Sequence, residues 1–113
     1  MKSLYVKVAG VTFEGRQEIL ATMHAGMPVQ IKPEPENKYD HNALAVYVGI
    51  GWENVPRIGY IPRELAEIIA PFLDGEALIG KVAEMTGGFE KWDGSRASLG
   101  CVVRVELPDE ADI

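Results

Sequence analysis

Side chains able to bind a ligand lie close together in the polar segment 34–42, directly before an apolar run. Asn37 and Asn42 carry amides that both donate and accept hydrogen bonds. Tyr39 offers a flat ring with a hydroxyl, and Asp40 is a pure acceptor when ionised. Such a loop can stack a planar ring and accept from its hydroxyls, as a nucleoside with a free sugar hydroxyl requires. The alternative is that these residues only form turns and cap their own backbone.

Catalytic and metal chemistry finds little support in the sequence. His24 and His41 lack the spacing of metal-ligand pairs, and nothing fixes Glu34, Glu36 and Asp40 on one cation. Cys101 lies in an apolar run, where a buried small side chain is the better interpretation than a nucleophile. The sequence therefore favours a protein that is not an enzyme, with no cofactor and no metal. A metal-dependent hydrolase is a minor alternative that draws only on the acidic loop.

Aromatic and basic side chains near predicted loops suggest a surface for nucleic acid. Aromatic rings at a barrel mouth can stack bases, each worth about 1–3 kcal/mol. Arginine and lysine side chains can contact phosphates, or they can be ordinary surface charge. For Phe13 and Tyr60 the alternative is that their rings fill the barrel. The residues concerned are Phe13, Tyr39, Tyr60, Phe89 and Trp92 among the aromatics, and Arg16, Lys38, Arg57 and Arg63 among the bases.

Length, charge and cysteine count set limits on these interpretations. The 113 residues suit one domain, and the net charge of −6, from 11 basic and 17 acidic residues, argues against a wide phosphate clamp. Four of the acids lie in the segment from Glu106 onward, so the remainder holds 13 acidic against 11 basic residues. The single cysteine excludes an intrachain disulfide. With no signal-peptide pattern and no long apolar stretch, we expect a cytoplasmic protein without a membrane partner.

The periodicity predicts six strands and two short helices. Alternating apolar residues predict strands from Leu4 to about Gly10 and over 27–32, 43–48, 55–61, 78–85 and 97–107. Helical spacing predicts one helix over 16–24 and another that begins at Pro62 and ends or kinks at Pro71. Turns are expected at 49–51 and 74–75, and a Gly-rich loop over 86–95. This pattern predicts an all-β to α+β fold built on a small closed or partly open β-barrel. We expect one domain over 1–113, with its core at about 4–107 and a frayed acidic tail over 108–113.

Four stretches of this sequence resemble the HIRAN domain family, whose members include stand-alone bacterial and phage proteins. The resemblance covers about Leu4 to Leu107. Its most specific motifs are E-P-x-N-x-Y-D-x-N-A from Glu34 and the I-G-Y-I-P step from Ile58. The stretches are Val8-Ala9-Gly10-Val11, Gly15-Arg16-Gln17-Glu18, the run from Glu34 to Val46, and Ile58-Gly59-Tyr60-Ile61-Pro62-Arg63-Glu64-Leu65-Ala66.

The resemblance implies an OB-like β-barrel that binds the free 3′ end of single-stranded DNA, in DNA repair or replication. It implies that Tyr39 and Asp40 grip the terminal nucleotide and its 3′-hydroxyl, with Asn37 as a neighbouring polar contact. Further binding positions implied by the family pattern are Phe13, Tyr60, Arg63, and either Phe89 or Trp92.

One departure from the family pattern keeps a second function open. Thr12 stands where some members have an arginine before the first aromatic residue. Together with the acidic balance and the acidic tail, this departure motivates an alternative. In that alternative the domain retains the barrel, does not bind DNA ends, and acts as a protein-interaction or regulatory module.

Overall fold

A computed structural model of the chain describes residues 1–49, 51, 55–73, 76–111 and 113. Within these residues it contains six β-strands and two short α-helices, the second continued by a 3-10 turn over Ala70–Phe72. The strands are β1 (Lys2–Lys7), β2 (Pro28–Pro33), β3 (Leu44–Val48), β4 (Arg57–Tyr60), β5 (Leu78–Thr86) and β6 (Gly100–Leu107), and the helices are α1 (Arg16–Leu20) and α2 (Arg63–Ile69).

The strands form a single antiparallel sheet in the order β1-β6-β5-β2-β3-β4. The sheet curls so that the chain just beyond β1 meets β4 on the far side. There the backbones of Ala9 and Tyr60 exchange hydrogen bonds of 2.7 and 2.8 Å. Gly59 permits this approach, because a Cβ at that position would overlap with the carbonyl oxygen of Ala9. The sequence predicted a closed or partly open six-stranded β-barrel with two short helices, and the curled sheet confirms the partly open form.

The core lies inside the curled sheet and is built from the inward-facing half of each strand. Burying each such side chain contributes about 1.5–3 kcal/mol. Buried and more exposed residues alternate in β1, β5 and much of β6, as the period-2 pattern predicts, whereas β2 and β3 bury runs of consecutive residues. Fully buried members include Val6, Val29, Ile31, Val46, Ile58, Val103 and Val105. Cys101 belongs to this core and is a free thiol, as expected from its apolar run.

Both helices differ slightly from their predicted bounds. Helix α1 ends at Leu20, because the next residues form successive turns with N–H bonds to carbonyls three residues back, including Met23 to Leu20. Met23 is still buried, which explains why it fits the helical stripe. Pro62 is the N-cap of α2 and not its first helical residue. Pro71 lies in the 3-10 turn that follows α2, where its missing N–H does not interrupt an α-helical ladder.

Other boundaries also shift. β4 is shorter than the predicted 55–61, and β6 begins at Gly100 because residue 97 instead pairs with the segment at 88–89. The prediction of a frayed tail over 108–113 was wrong for Ala111, which is buried. Its carbonyl oxygen accepts a 2.9 Å hydrogen bond from Lys2 Nζ. The predicted turn at 74–75 and the centre of the one at 49–51 lie outside the described residues. No helix in the described part of the chain is long and apolar enough to cross a membrane.

Candidate nucleic-acid interface

The loop between β2 and β3 is a closed structure held by its own backbone. Glu34 N–H donates to the carbonyl of Ala43 at 2.9 Å, which joins the two ends of the loop. Within the loop, Asn37 N–H donates to the backbone carbonyl of Glu34 at 3.0 Å, and Ala43 N–H donates to the backbone carbonyl of Asp40 at 3.1 Å. The loop therefore presents its tip in a defined conformation at the end of a rigid hairpin.

The Asn37 side chain organises the tip. Its Oδ1 accepts hydrogen bonds from the backbone N–H groups of Tyr39, at 2.9 Å, and Asp40, at 3.1 Å. Its Nδ2 donates to Oε1 of Glu34 at 3.1 Å. Asn37 thus fixes the two residues to which the family pattern assigns the grip on the ligand.

Asp40 is oriented from both sides. Its Oδ1 accepts from the backbone N–H of Asn42 at 2.9 Å, so it forms a turn of its own, as the turn interpretation of the sequence predicts. Its Oδ2 lies 3.5 Å from Nε of Arg63, the first residue of α2. The Asp40 side chain is 23% exposed and that of Arg63 is 72% exposed. The carboxylate is therefore held in place while its outer oxygen keeps acceptor capacity.

A pocket of about 510 Å³ gathers most of the predicted binding residues. Tyr39 is 91% exposed and Phe13 is 64% exposed, so both rings are open to a ligand. The ring of Phe13 does not fill the barrel, contrary to that alternative. The pocket is lined by Gly10, Phe13, Glu14, Arg16, Asn37, Tyr39, Asp40, Ala43, Tyr60, Ile61 and Arg63.

The two late-loop aromatic residues lie elsewhere. Phe89 lines a separate pocket of about 350 Å³ together with Lys7 and Leu99. Trp92 is 99% exposed on a turn in which Lys91 N–H donates to the carbonyl of Ser95. The structure thus brings together six of the eight predicted residues and leaves Phe89 and Trp92 outside that pocket.

Behind the pocket, a network of charged side chains supports Tyr60. The Tyr60 hydroxyl donates to Oε1 of Glu34 at 2.9 Å, and Arg57 Nη1 donates to Oε2 of Glu34 at 3.2 Å. The guanidinium groups of Arg16 and Arg57 lie 5.5 and 5.4 Å from the centre of the Tyr60 ring. Glu14 completes the network through ion pairs with both arginines.

The network shifts the ionisation of its members. Burial opposes the charge on Glu34, but hydrogen bonds from Asn37, Tyr60 and Arg57 outweigh it and hold the Glu34 pKa below its ordinary value. Burial raises the pKa of Tyr60, and its bond to Glu34 adds to the rise. Glu14 carries no signal of a role in the sequence. It precedes a glycine and adopts a positive φ of 55°, and no residue pattern points to its contact with Arg57, which is distant in sequence.

Among the described residues, no group of three or more histidine, cysteine, aspartate or glutamate side chains is arranged to bind a metal ion. His24 and His41 contact backbone carbonyls, those of Ala25 and Pro35. The polar and aromatic lining of the pocket comprises the rings of Phe13, Tyr39 and Tyr60, the carboxylates of Glu14 and Asp40, the Asn37 amide, and the guanidinium groups of Arg16 and Arg63.

The family model for the HIRAN domain matches residues 1–107, nearly the entire chain. The chain belongs to the HIRAN domain family. The resemblance noted in the sequence motifs is thereby confirmed. HIRAN is a binding domain generally associated with DNA.

Two solved structures show the same fold as this HIRAN domain. A crystal structure of a protein from Lactobacillus plantarum has a TM-score of 0.58 at 24% identity, covering 93% of this chain and 98% of the other. The crystal structure of the HIRAN domain of human HLTF has a TM-score of 0.53 at 22% identity, covering 92% and 76%. The expected OB-like fold is therefore confirmed.

A curated relative shares a shorter stretch with this HIRAN domain. It is a Fanconi-associated nuclease 1 homolog from Oryza sativa subsp. japonica, 36% identical over 52 residues. That stretch is 46% of this chain and 5% of the relative, so the chain spans about a twentieth of the length of that protein.

Proposed function

We propose that this HIRAN domain binds the free 3′ end of single-stranded DNA without acting on it chemically. One observation carries the proposal: a single pocket contains the exposed Tyr39 ring beside the oriented Asp40 carboxylate. A ring and a fixed acceptor are what the base and terminal hydroxyl of one nucleotide need. The family's association with DNA supports the same conclusion.

The rings supply affinity that is tolerant of sequence. Tyr39 stacks on the terminal base, and Phe13, which lines the same pocket, contacts the same nucleotide, each ring contributing about 1–3 kcal/mol. Phe89 and Trp92, outside the pocket, are proposed to contact bases further along the strand.

Asp40 supplies the preference for a chain end. Its Oδ2 accepts a charge-assisted hydrogen bond from the 3′-hydroxyl, while Arg63 holds the carboxylate and contacts the adjacent phosphate. A 3′-phosphate brings its own negative charge against the carboxylate and cannot donate in the same way when ionised. Asn37 positions both gripping residues, and Tyr60 forms the pocket wall beside them.

Fluorescence anisotropy with labelled short oligonucleotides tests the proposal. Oligonucleotides that end in a 3′-hydroxyl should bind about tenfold more tightly than those that end in a 3′-phosphate, because the hydroxyl donates a hydrogen bond to the Asp40 carboxylate and an ionised phosphate repels it. Tyr39→Ala and Asp40→Asn should each weaken binding to the hydroxyl end. In Asp40→Asn the preference for the 3′-hydroxyl end over the 3′-phosphate end should also fall, since an NH2 donor replaces one carboxylate oxygen and the negative charge is lost.

The chain offers matched controls for both variants. Tyr5→Ala removes an exposed tyrosine from β1, outside the pocket. Asp109→Asn changes an exposed aspartate that pairs with the N-terminal amine at 2.7 Å, as Asp40 pairs with Arg63, and that lies outside the pocket. Both controls should bind as the unmodified domain does. Equal affinity for the two ends, or equal losses in the controls, would refute 3′-end recognition.

A second candidate function, binding of a protein partner, rests on the fully exposed Trp92 and the net charge of −6. An ordered, solvent-facing tryptophan is a common anchor of protein interfaces. Nuclease-treated pull-downs with the intact domain and with Trp92→Ala test it. A partner retained after nuclease treatment and lost in Trp92→Ala supports this function, whereas capture that disappears with the nucleic acid counts against it. A role in DNA repair or replication and a cytoplasmic location stay predictions.

A further inference from the structure

We propose that Arg16 and Arg57 form a phosphate-binding site whose place is taken by the Glu14 carboxylate while nucleic acid is absent. Glu14 is then an internal competitor that the backbone phosphate of a bound strand displaces. This inference rests on the proposed function for the identity of its ligand, a phosphodiester group, but the arginine pair can be tested with inorganic phosphate alone.

The geometry is that of one anionic oxygen shared by two cations. Oε2 of Glu14 lies 2.9 Å from Nη2 of Arg57 and 3.3 Å from Nη2 of Arg16. A phosphate oxygen at that point would meet the same two donors, since guanidinium groups bind carboxylate and phosphate alike.

The two arginines are held in place without Glu14. Arg16, whose side chain is 6% exposed, donates from Nη1 to the carbonyl of Gly10 at 2.6 Å. Arg57 donates from Nη1 to Glu34, and both guanidinium groups lie near the Tyr60 ring. When the Glu14 carboxylate leaves, these anchors keep the two Nη2 groups directed at one point.

Glu14 is the most exposed member of the set. Its side chain is 65% exposed, compared with 22% for Glu34, which has three hydrogen-bond partners. Its positive φ of 55° is an uncommon conformation for a residue with a side chain, and Gly15 beside it also has a positive φ. A rotation of this side chain away from the arginines breaks its ion pairs with Arg57 and with the buried Arg16, while the bonds of these arginines to Glu34 and to the Gly10 carbonyl stay in place.

The charge of the pocket points the same way. Its charged lining residues are Glu14, Arg16, Asp40 and Arg63, whose formal charges cancel. With the Glu14 carboxylate turned outward or removed, the remaining lining carries one net positive charge, which favours a phosphodiester over a neutral ligand.

The test compares Glu14→Gln with Glu18→Gln. Both variants remove one negative charge, but Glu18 is exposed on α1 and lines no described pocket. Glu14→Gln should bind 3′-hydroxyl oligonucleotides about two- to fivefold more tightly than the unmodified domain, the range expected for an exposed ion pair. The gain should shrink as salt is raised. Glu18→Gln should show little gain, and adding Arg57→Gln to Glu14→Gln should abolish it.

A titration with inorganic phosphate, followed by NMR of the arginine Nε–Hε signals, tests the site without DNA. The Arg16 and Arg57 signals should shift at lower phosphate concentration in Glu14→Gln than in the unmodified domain. Melting temperatures identify any variant that fails to fold, and Glu14→Ala then replaces it in both measurements.

The outcomes separate the two proposals. If the arginine signals respond to phosphate but no variant binds oligonucleotides, the site stands and 3′-end binding fails. If oligonucleotides bind through Tyr39 and Asp40, but a folded Glu14→Gln gains no more than Glu18→Gln, the competitor role of Glu14 is overturned and end binding stands.

Discussion

The phenol of Tyr60 donates a 2.9 Å hydrogen bond to Oε1 of Glu34, which ties strand β4 to the base of the loop that carries Tyr39 and Asp40. The same strand closes the curled sheet through the backbone of Ala9. Tyr60 therefore takes part both in closing the sheet and in placing the loop. A substitution that weakens its bond to Glu34 should lower the stability of the whole domain.

Glu34→Gln should destabilise the domain by about 1–2 kcal/mol at pH 7, because hydrogen bonds to a charged acceptor become neutral ones. The folded-state pKa of Glu34 lies below its ordinary value of 4.5. The carboxylate's contribution is therefore fully present above pH 4.5 and is lost as the pH falls through the folded pKa. Urea unfolding at pH 7 and at several points below pH 4.5 should show the gap between the two proteins closing in acid. A constant gap across that range would contradict this assignment.

Tyr60→Phe should cost about 1 kcal/mol, because it removes the hydrogen bond to Glu34 but keeps the ring beside Arg16 and Arg57. Chemical denaturation at pH 7 measures the loss. In the double variant with Glu34→Gln the total loss should be smaller than the sum of the two single losses, since both changes act on the same hydrogen bond: Tyr60→Phe removes it and Glu34→Gln weakens it. Full additivity would show that the two side chains act independently.

The fold was predictable where local pattern decides it. Short apolar runs, several of them alternating, located all six strands found in the described residues, because each strand buries apolar side chains in a common core. The end of α1 was not predictable, because Met23 is buried by a turn and still falls on the helical stripe. Burial of Ala111 gave no signal either, since the side chain that donates to its carbonyl, Lys2, lies at the other end of the sequence.

The site was predictable to the extent that it is one contiguous loop. Asn37, Tyr39 and Asp40 could be identified from residue type alone, because they are polar or aromatic residues in one loop. The family motif adds three residues from other segments: Phe13, Tyr60 and Arg63. The role of Glu14 could not be predicted, since it follows from a positive φ and from an arginine on β4. Such contacts depend on tertiary structure that no spacing in the sequence encodes.

Gly59→Ala should destabilise the domain by about 2–4 kcal/mol or prevent folding, because overpacking at a rigid backbone contact has no easy relief. The added Cβ would overlap with the Ala9 carbonyl and lie 2.6 Å from Cγ1 of Val8. Gly94→Ala is the control: it has open space around it and suffers only from its positive φ of 86°. Thermal unfolding should rank Gly59→Ala well below Gly94→Ala, and equal losses would show that the closure at Ala9 tolerates a side chain.

Cys101 should react with thiol reagents only after unfolding. Its side chain is fully buried in β6, and burial raises the pKa of the thiol to about 11, so the native state offers neither access nor thiolate at pH 8. Labelling with an aromatic disulfide reagent should be slow in buffer and immediate in concentrated guanidinium chloride. Rapid labelling of the native domain would contradict the burial of this strand.

Asn37→Ala should weaken oligonucleotide binding, even though the hydrogen bonds of the Asn37 amide are made to the loop and not to a ligand. Its Oδ1 holds the backbone N–H groups of Tyr39 and Asp40, so its loss frees the gripping residues and raises the entropic cost of binding. We expect a loss of about three- to tenfold in affinity, by an effect worth roughly one hydrogen bond.

Asn37→Asp keeps the acceptor oxygen but replaces the donor to Glu34 with a second carboxylate, which repels Glu34 when both are ionised. It should recover more binding at pH 4 than at pH 7, relative to the unmodified domain. Anisotropy titrations at both pH values measure this, and unchanged affinity in a folded Asn37→Ala would show that the tip needs no such support.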